Sequence, residues 1–254
     1  MRYKKIDELQ VYVADSRDEM GRISGQDAAS MIKILLQEKE ELNVMFAAAP
    51  SQDDVLAELV RDPDIDWGRI NAFHMDEYLG LSDEAPQKFG NYLRKHIFDK
   101  VPFKKIFYID SDSNPQKEAA RYEEILREHP LDVCILGVGE NGHLAFNDPG
   151  EADFGDTHFV KTVKLDVRCR QQQVNDGCFE TFEEVPERAL TVTIPGLLQA
   201  KAMFCVVPAS NKAEAVKNML TGKVDCSCPA SILRTKRGAR LYLDPRAAEQ
   251  LTIE

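Results

Sequence analysis

Residues 134–149 read CILGVGENGHLAFNDP, an apolar run that ends in three closely spaced glycines before a histidine and a carboxylate. A buried strand that stops at a glycine turn is where open α/β sheets bind their ligands. Imidazole is the side chain whose ordinary pKa lies closest to neutral pH, so His143 is suited to moving protons. We therefore expect this stretch to form the floor of a functional site.

On both sides of this stretch, short apolar runs alternate with amphipathic segments of helical period. The predicted strands are residues 9–14, 42–48, 70–75, 105–109, 131–138, 160–165, 189–194, 202–207 and 239–243. The predicted helices are residues 24–40, a segment starting at 50, 91–101, 114–129, 168–174, a short segment after 196, and 211–220. This alternation predicts βαβ units, a mostly parallel central sheet and a three-layer α/β/α, Rossmann-like fold. We expect residues 1–254 to form a single domain.

The charge of the chain limits its partners. A net charge of -11 over 254 residues argues against nucleic acid or an anionic membrane, since both require a basic surface. A small anionic ligand is compatible with this net charge, because binding of a small anion depends on the cations close to its site. No window approaches the roughly 18 consecutive apolar residues that a membrane span requires. The basic N-terminal decapeptide has no apolar segment behind it, so we expect no signal peptide and a cytoplasmic protein.

The six cysteines do not suggest a disulfide scaffold in a chain of this length. Cys134 and Cys205 lie in apolar runs and are expected in the core. Cys226 and Cys228 form a Cys-x-Cys pair without a second pair nearby, whereas a structural zinc site normally needs four ligands. We expect reduced thiols and no metal.

The end of the strand at 42–48 predicts an anion site. Small residues, Ala48 among them, lead through Ser51 and Gln52 into a helix, and free N–H groups at a helix start attract anions. The alternative is a plain turn with Ser51 as the N-cap of the helix. Asp53 and Asp54 in the first turn favour that alternative, because they already complement the helix dipole.

The end of the strand at 70–75 places a carboxylate, Asp76, directly after a buried segment. Partial desolvation raises the pKa of such a group, so Asp76 is a candidate general base. The alternative is an acidic N-cap for the next segment. We interpret His74 as a packed, structural histidine.

The opening stretch supplies a possible His143–Asp148 pair, in which the carboxylate would fix the imidazole tautomer. Glu140 and Asn141 flank the glycine turn and could hold ligand hydroxyls. The glycine spacing fits G-x-G-x-x-G, but no helix is predicted to open there, so we do not expect a dinucleotide site.

Lys212 lies at the start of a predicted helix, where a positive charge is unfavourable for the helix dipole. We expect either that this lysine binds an anion or that it is solvated.

Three blocks of sequence together resemble one enzyme family: FHMDEYLG at 73–80, LGVGENGHLAFNDP at 136–149 and ALTV at 189–192. Their order and spacing are similar to those of the glucosamine-6-phosphate deaminase (isomerase) family, which is related to the 6-phosphogluconolactonases. The continuation G-H-x-A-F-N-[DE]-P is the deaminase form of the motif.

The resemblance implies conversion of glucosamine 6-phosphate to fructose 6-phosphate and ammonium, in amino sugar catabolism and without a cofactor. It assigns Asp76 as the base that moves a proton from C2 to C1, His143 as the ring-opening acid/base and Asp148 as its support. It also implies that Lys212 and the turn at 47–52 bind the substrate phosphate.

The chain departs from the family pattern at several positions. The family often has Thr-Gly-Gly-Thr in the phosphate loop, and it commonly has Asp where Asn141 stands and Glu where Asp148 stands. We keep Asn141 with the catalytic group and assign Gly137 to the substrate-binding wall. Arg170 is our expectation for the family's phosphate-binding arginine.

Three other functions are compatible with these residues. Two are enzymatic, a 6-phosphogluconolactonase and a deaminase of another amino-sugar phosphate such as galactosamine 6-phosphate. The third is a regulator that binds a sugar phosphate without turnover. The sequence is also compatible with a homo-oligomer.

Overall fold

The strands and helices of the protein follow the predicted alternation. The computed structural model describes residues 1–252, so residues 253 and 254 of the predicted domain lie outside the described part. The strands are β1 (Arg2–Ile6), β2 (Leu9–Val13), β3 (Leu42–Phe46), β4 (Ile70–His74), β5 (Asp76–Tyr78), β6 (Lys105–Phe107), β7 (Val133–Leu136), β8 (Val160–Lys164), β9 (Arg188–Val192), β10 (Ala202–Val207) and β11 (Ala239–Leu243). The α-helices are α1 (Arg17–Glu38), α2 (Asp53–Arg61), α3 (Phe89–Leu93), α4 (Pro115–Glu128), α5 (Val167–Asn175), α6 (Ile194–Leu197) and α7 (Ala213–Thr221).

The central sheet is mostly parallel, as predicted. Within residues 1–252 its eight strands lie in the order β1-β2-β11-β10-β7-β3-β4-β6. All neighbouring pairs are parallel except β1 and β2. The sequence analysis missed β1, because its sequence RYKKI is exposed and strongly basic and so carries no apolar signal.

Two hydrophobic cores cover the two faces of this sheet. Along β7, Val133 and Ile135 pack in the core formed with α1 and α2, whereas Cys134 and Leu136 pack in the core formed with α4 and α7. This alternation follows from the two-residue period of a strand. The resulting helix–sheet–helix layering confirms the predicted fold class.

The register of the parallel strands brings their carboxyl ends to one edge of the sheet. Phe46 at the end of β3 lies opposite both Ile135 of β7 and His74 of β4. Leu136 of β7 lies opposite Cys205 of β10. The residues that follow these four strands therefore emerge side by side.

A second, three-stranded sheet in the order β5-β9-β8 covers this edge, and its pairs are antiparallel. Asp76 lies opposite Thr191 in this sheet. The sequence analysis predicted β8 and β9 as strands but not that they leave the central sheet, and it missed β5, which has only three residues. The short pairing fixes the backbone of Asp76 just beyond β4.

Some helix boundaries differ from those predicted. α1 begins seven residues before the expected start, at Arg17, because the Ser16 side chain caps it by accepting a hydrogen bond from Glu19 N–H. The predicted helix at 91–101 is instead α3 followed by a π-helical turn at Arg94–Phe98. Among the described residues, no helix combines the length and apolar character needed to cross a membrane.

His74 joins the end of β4 to its neighbours, as expected for a structural histidine. Its Nδ1 donates to the backbone carbonyl of Asp76 at 2.9 Å, and its Nε2 accepts from Ile109 N–H at 3.0 Å. The ring is fully buried, and burial lowers the pKa of His74 to about 4. The neutral imidazole therefore holds the backbone of Asp76 in place.

We predict that His74 makes the protein acid-sensitive. Because the folded pKa of about 4 lies below the ordinary value of 6.5, the unfolded chain binds the extra proton. The free energy of unfolding should therefore fall by about 2–3 kcal/mol through this group between pH 6.5 and pH 4. Urea denaturation across this range should show that His74→Gln flattens the dependence, whereas His158→Gln at an exposed histidine does not. An equal slope in wild type and His74→Gln would contradict this.

Candidate active site

A cavity lies at the carboxyl edge of the central sheet, between β3, β7, the β5 strand and α5. It brings together seven of the residues predicted from the sequence: Ala48, Ser51, Gln52, Asp76, Gly137, His143 and Lys212. Asn141 and Asp148 do not line the cavity but contact His143 from behind. The predicted convergence of the strand ends thus occurs in the structure.

The turn after β7 is shaped to hold the His143 ring. A Cβ atom on Gly139 would lie 2.1 Å from Cε1 of His143, so only glycine leaves room for the imidazole. Gly142 has a φ of +86°, in the region that favours glycine, and a Cβ there would also meet Sγ of Cys228 at 2.7 Å. Gly139 therefore makes room for the histidine, and Gly142 allows the turn itself.

The proton on His143 is fixed by its two neighbours. Nδ1 lies 2.8 Å from Oδ1 of Asn141 and 2.9 Å from Oδ1 of Asp148. Both atoms are acceptors, because the amide nitrogen of Asn141 donates to Asp148 at 2.9 Å. Nδ1 therefore carries a proton, so in the neutral ring Nε2 is the nitrogen that can act as a base.

Asp148 is fully buried and ionised. Burial raises the pKa of its carboxyl group, but the charge of His143 and hydrogen bonds from His143, Asn141 and Asp166 N–H outweigh this and lower it. Its two oxygens accept from three different donors. Such a carboxylate stabilises the imidazolium that forms when Nε2 takes up a proton.

Asp76 faces the cavity from the second sheet. The residue as a whole is 6% exposed, and no hydrogen bond to its carboxyl group occurs within residues 1–252. Burial, together with the charge of Glu77, raises the pKa of Asp76 well above its usual value. A carboxylate with a raised pKa is a stronger base, which suits abstraction of a carbon-bound proton.

Glu77 is a buried residue that the sequence analysis left without a role. Its carboxyl group accepts from the backbone N–H groups of Tyr78, Phe89 and Gly90 at 2.9–3.0 Å, and burial raises its pKa to about 7. It thereby ties the start of α3 to β5 and fixes Phe89, which forms part of the cavity wall. The sequence signal that could have pointed to Glu77 is its position directly after Asp76.

The turn between β3 and α2 forms another wall of the cavity. The predicted N-cap role of Ser51 is wrong: the 3-10 turn Pro50–Gln52 is preceded by Ala49 and has no side-chain cap. The Ser51 hydroxyl instead accepts from Nε2 of Gln52, which also donates to Val206 C=O. A Cβ on Gly137 would lie 2.8 Å from this Nε2, so Gly137 lets the amide pack beneath the cavity.

Lys212 is buried at the cavity rather than solvated. It is 4% exposed, and its ammonium group has no hydrogen-bond partner among residues 1–252. Burial lowers its pKa, while the nearby charges of Asp176 and Glu140 oppose that shift. A buried cation without a partner, facing a cavity, has the chemistry to pair with an anion.

The expectation that Arg170 binds substrate is not supported by the structure. Its guanidinium group donates to the backbone carbonyls of Val185 and Phe182 at 2.7–3.1 Å and stacks on the Phe182 ring. Arg170 therefore points away from the cavity and anchors the segment after α5. The side chains of Gln172 and Gln173 on the same helix line the cavity instead, and the polar run RCRQQQV was their only signal.

One cluster near the site has the composition of a metal site. Ligand atoms of His143, Asp148 and Cys169 lie within 4.8 Å of one another. Burial raises the pKa of the Cys169 thiol well above its usual range. His143 Nδ1 and Asp148 Oδ1 already pair with each other at 2.9 Å. Two of the three groups therefore have partners within the protein.

Comparisons with known proteins agree with this geometry. A glucosamine-6-phosphate deaminase of Exiguobacterium sibiricum is 31% identical, over 95% of this chain and 93% of its own. A deaminase of the same name from Listeria monocytogenes is 37% identical, over 83% of this chain and 88% of its own.

Solved structures show the same fold. A monomeric glucosamine-6-phosphate deaminase superposes with a TM-score of 0.85 at 25% identity, covering 95% of this chain and 99% of that one. The 6-phosphogluconolactonase of Thermotoga maritima superposes with a TM-score of 0.76 at 19% identity, covering 93% and 99%. The family described as glucosamine-6-phosphate isomerases/6-phosphogluconolactonase matches residues 15–242. The chain belongs to this family.

Proposed function

We propose that this protein converts glucosamine 6-phosphate and water to fructose 6-phosphate and ammonia. The observation that carries the proposal is the shared cavity of Asp76, His143 and Lys212, which supplies a carbon base, an oxygen acid/base and an anion site. The relatives named glucosamine-6-phosphate deaminase, at 31–37% identity over most of the chain, support the same reaction.

The first step is ring opening by His143. Because Nδ1 carries the proton, Nε2 takes the proton of the O1 hydroxyl of the cyclic sugar and delivers it to the ring oxygen. The C1 carbonyl is thereby released. Asp148 and Asn141 hold the ring and stabilise its charged form during this transfer.

The second step is proton transfer by Asp76. The C2–H bond becomes acidic only beside the new C1 carbonyl, and its electron pair moves to form an enol-like intermediate. Asp76 takes the C2 proton, the C2 ammonium group of the substrate gives a proton to the C1 oxyanion, and Asp76 returns its proton to C1, which leaves a C1 hydroxyl and an iminium at C2. Water adds to C2, ammonia leaves, and the ketone of fructose 6-phosphate remains.

The phosphate lies at the Lys212 end of the cavity in this proposal. Lys212 contributes the positive charge, and the small residues of the turn at 47–52, with Ala48 and Ser51, allow close approach of the ligand to the backbone. No metal or cofactor takes part. We place the reaction in the cytoplasm, where the six free cysteines stay reduced.

A direct assay separates this function from its alternatives. The purified protein is incubated with glucosamine 6-phosphate, and ammonium and fructose 6-phosphate are measured together. Absence of both products at high protein concentration would overturn the proposal. Hydrolysis of 6-phosphogluconolactone in parallel would support a lactonase, faster turnover of galactosamine 6-phosphate would change the substrate, and binding without turnover would support a regulator.

We predict that Asp76→Asn abolishes deamination while the ligand still binds. The amide keeps the size of the side chain but cannot accept the C2 proton, so kcat should fall by about 10²–10⁴-fold. Exchange of the C2 proton with deuterated solvent, followed by NMR, should stop as well. The affinity for inorganic phosphate should change by less than about three-fold. Loss of phosphate binding, or a melting temperature far below wild type, would show that Asp76 has a structural role instead.

We predict that phosphate affinity falls at alkaline pH through Lys212. Its lowered pKa means that the ammonium loses its proton at a lower pH than an exposed lysine does. Inorganic phosphate, with a second pKa near 6–7, is already a dianion above about pH 8, so the decrease reports on the lysine. Competitive inhibition by phosphate should weaken as pH rises above 8 in wild type. Lys212→Met should bind at least ten-fold more weakly with little pH dependence, whereas Lys217→Met, at an exposed position of α7, should behave as wild type.

A further inference from the structure

Gln173 is a buried amide that faces the cavity without a partner in the protein. The residue as a whole is 8% exposed and lines the cavity, and among residues 1–252 its side-chain amide is not hydrogen-bonded. Buried polar groups are nearly always hydrogen-bonded, because leaving one unpaired destabilises the fold. An unpaired amide that faces a ligand cavity is therefore a candidate ligand contact.

The neighbouring Gln172 differs, although it is equally buried. Its Oε1 accepts from Glu140 N–H at 2.9 Å, and its Nε2 donates to Asp176 at 3.2 Å. Gln172 therefore braces the His143 turn against α5, and its carbonyl oxygen and one of its two N–H donors are engaged. Of the two adjacent amides, Gln173 is the one with both donors available to a ligand.

Gln173 and Lys212 line the same cavity, Gln173 from α5 and Lys212 from the turn before α7. Helical spacing puts Cys169 and Gln173 on one side of α5. The amide and the ammonium therefore border one cavity.

The phosphate also needs a second donor. Lys212 is the one lysine or arginine among the cavity-lining residues of the described chain, since the guanidinium group of Arg170 is engaged by backbone carbonyls. The charges of Asp176 and Glu140 act on Lys212 and favour its charged form, but they are also negative charges near the anion. A phosphate monoester has three acceptor oxygens, and a primary amide offers two N–H donors without adding charge.

We propose that the Gln173 side-chain amide donates to the phosphate that Lys212 neutralises and so determines the specificity of the site for a phosphorylated sugar. This inference rests on the proposed function only for the identity of the sugar. Binding of the phosphate anion can be tested without it. The amide carbonyl, Oε1, is left to accept from a sugar hydroxyl or a water molecule. Gln173 contributes to binding and not to proton transfer.

The test compares Gln173→Met, which keeps the volume but removes the donor, with Gln173→Glu, which replaces it by a carboxylate. The matched control is Gln171→Ala, because Gln171 is exposed on the same helix and bonds only to Asn175. The dissociation constant of inorganic phosphate is measured by calorimetry at pH 7.5, and KM and kcat are measured with glucosamine 6-phosphate. Melting temperatures monitor folding.

We expect Gln173→Met to weaken phosphate binding and raise KM in parallel, by about ten-fold or more, with kcat within about three-fold of wild type. Gln173→Glu should be weaker still, since its charge repels the dianion, and Gln171→Ala should match wild type. An unchanged phosphate affinity in Gln173→Met, with or without a rise in KM, would overturn the assignment. The assignment would also be overturned if Gln173→Met and Gln173→Glu lost phosphate affinity equally and both had lowered melting temperatures. Phosphate binding is measured without turnover, so its result would still test the role of Gln173 if the deaminase assay failed.

Discussion

The buried carboxylate of Asp148 is the constraint on which the site depends. An ionised carboxylate without exposure to water destabilises a fold by several kcal/mol unless it is paired and hydrogen-bonded, as a rough rule. Here its donors are the imidazole of His143, the amide of Asn141 and the backbone N–H of Asp166. These three groups belong to the glycine turn and to the residue that caps α5. Satisfying one carboxylate therefore fixes both the His143 ring and the helix that carries the cavity-lining glutamines.

Asn141 is neutral, whereas the family commonly has an acid at this position. Its hydrogen bonds show how the arrangement works without that charge. Its Oδ1 accepts from Nδ1 of His143, and its Nδ2 donates to Asp148 and, at 3.4 Å, to Asp166. A carboxylate at this position could accept from the imidazole but would face two other carboxylates without a donor. The amide thus joins the imidazole to the shorter side chain of Asp148. The differences from the common family residues at Asn141 and Asp148 are therefore best understood together, because the two side chains bond to each other.

The sequence was sufficient for features that have strong local signals. Apolar runs predicted the central strands, and the parallel topology then required His143, Asp76 and Lys212 to converge. Side-chain direction on α5 was not predictable, because its nine residues are polar on most sides. Whether Arg170 or Gln173 enters the cavity depends on the carbonyls of Val185 and Phe182, which come from a distant segment. The β5 strand was missed for a similar reason, since its three residues form a strand only by pairing with β9.

The net charge of the chain and the local charge of the cavity differ in sign. A net charge of -11 would repel a sugar phosphate at long range, but at physiological salt such fields decay over about 8 Å. The cavity itself contains the ammonium group of Lys212, which is buried and has no hydrogen-bond partner among residues 1–252. A buried cation without a partner is unfavourable, so an anion that paired with it would stabilise the protein. Under the proposed function, the local cation therefore outweighs the charge of the whole chain.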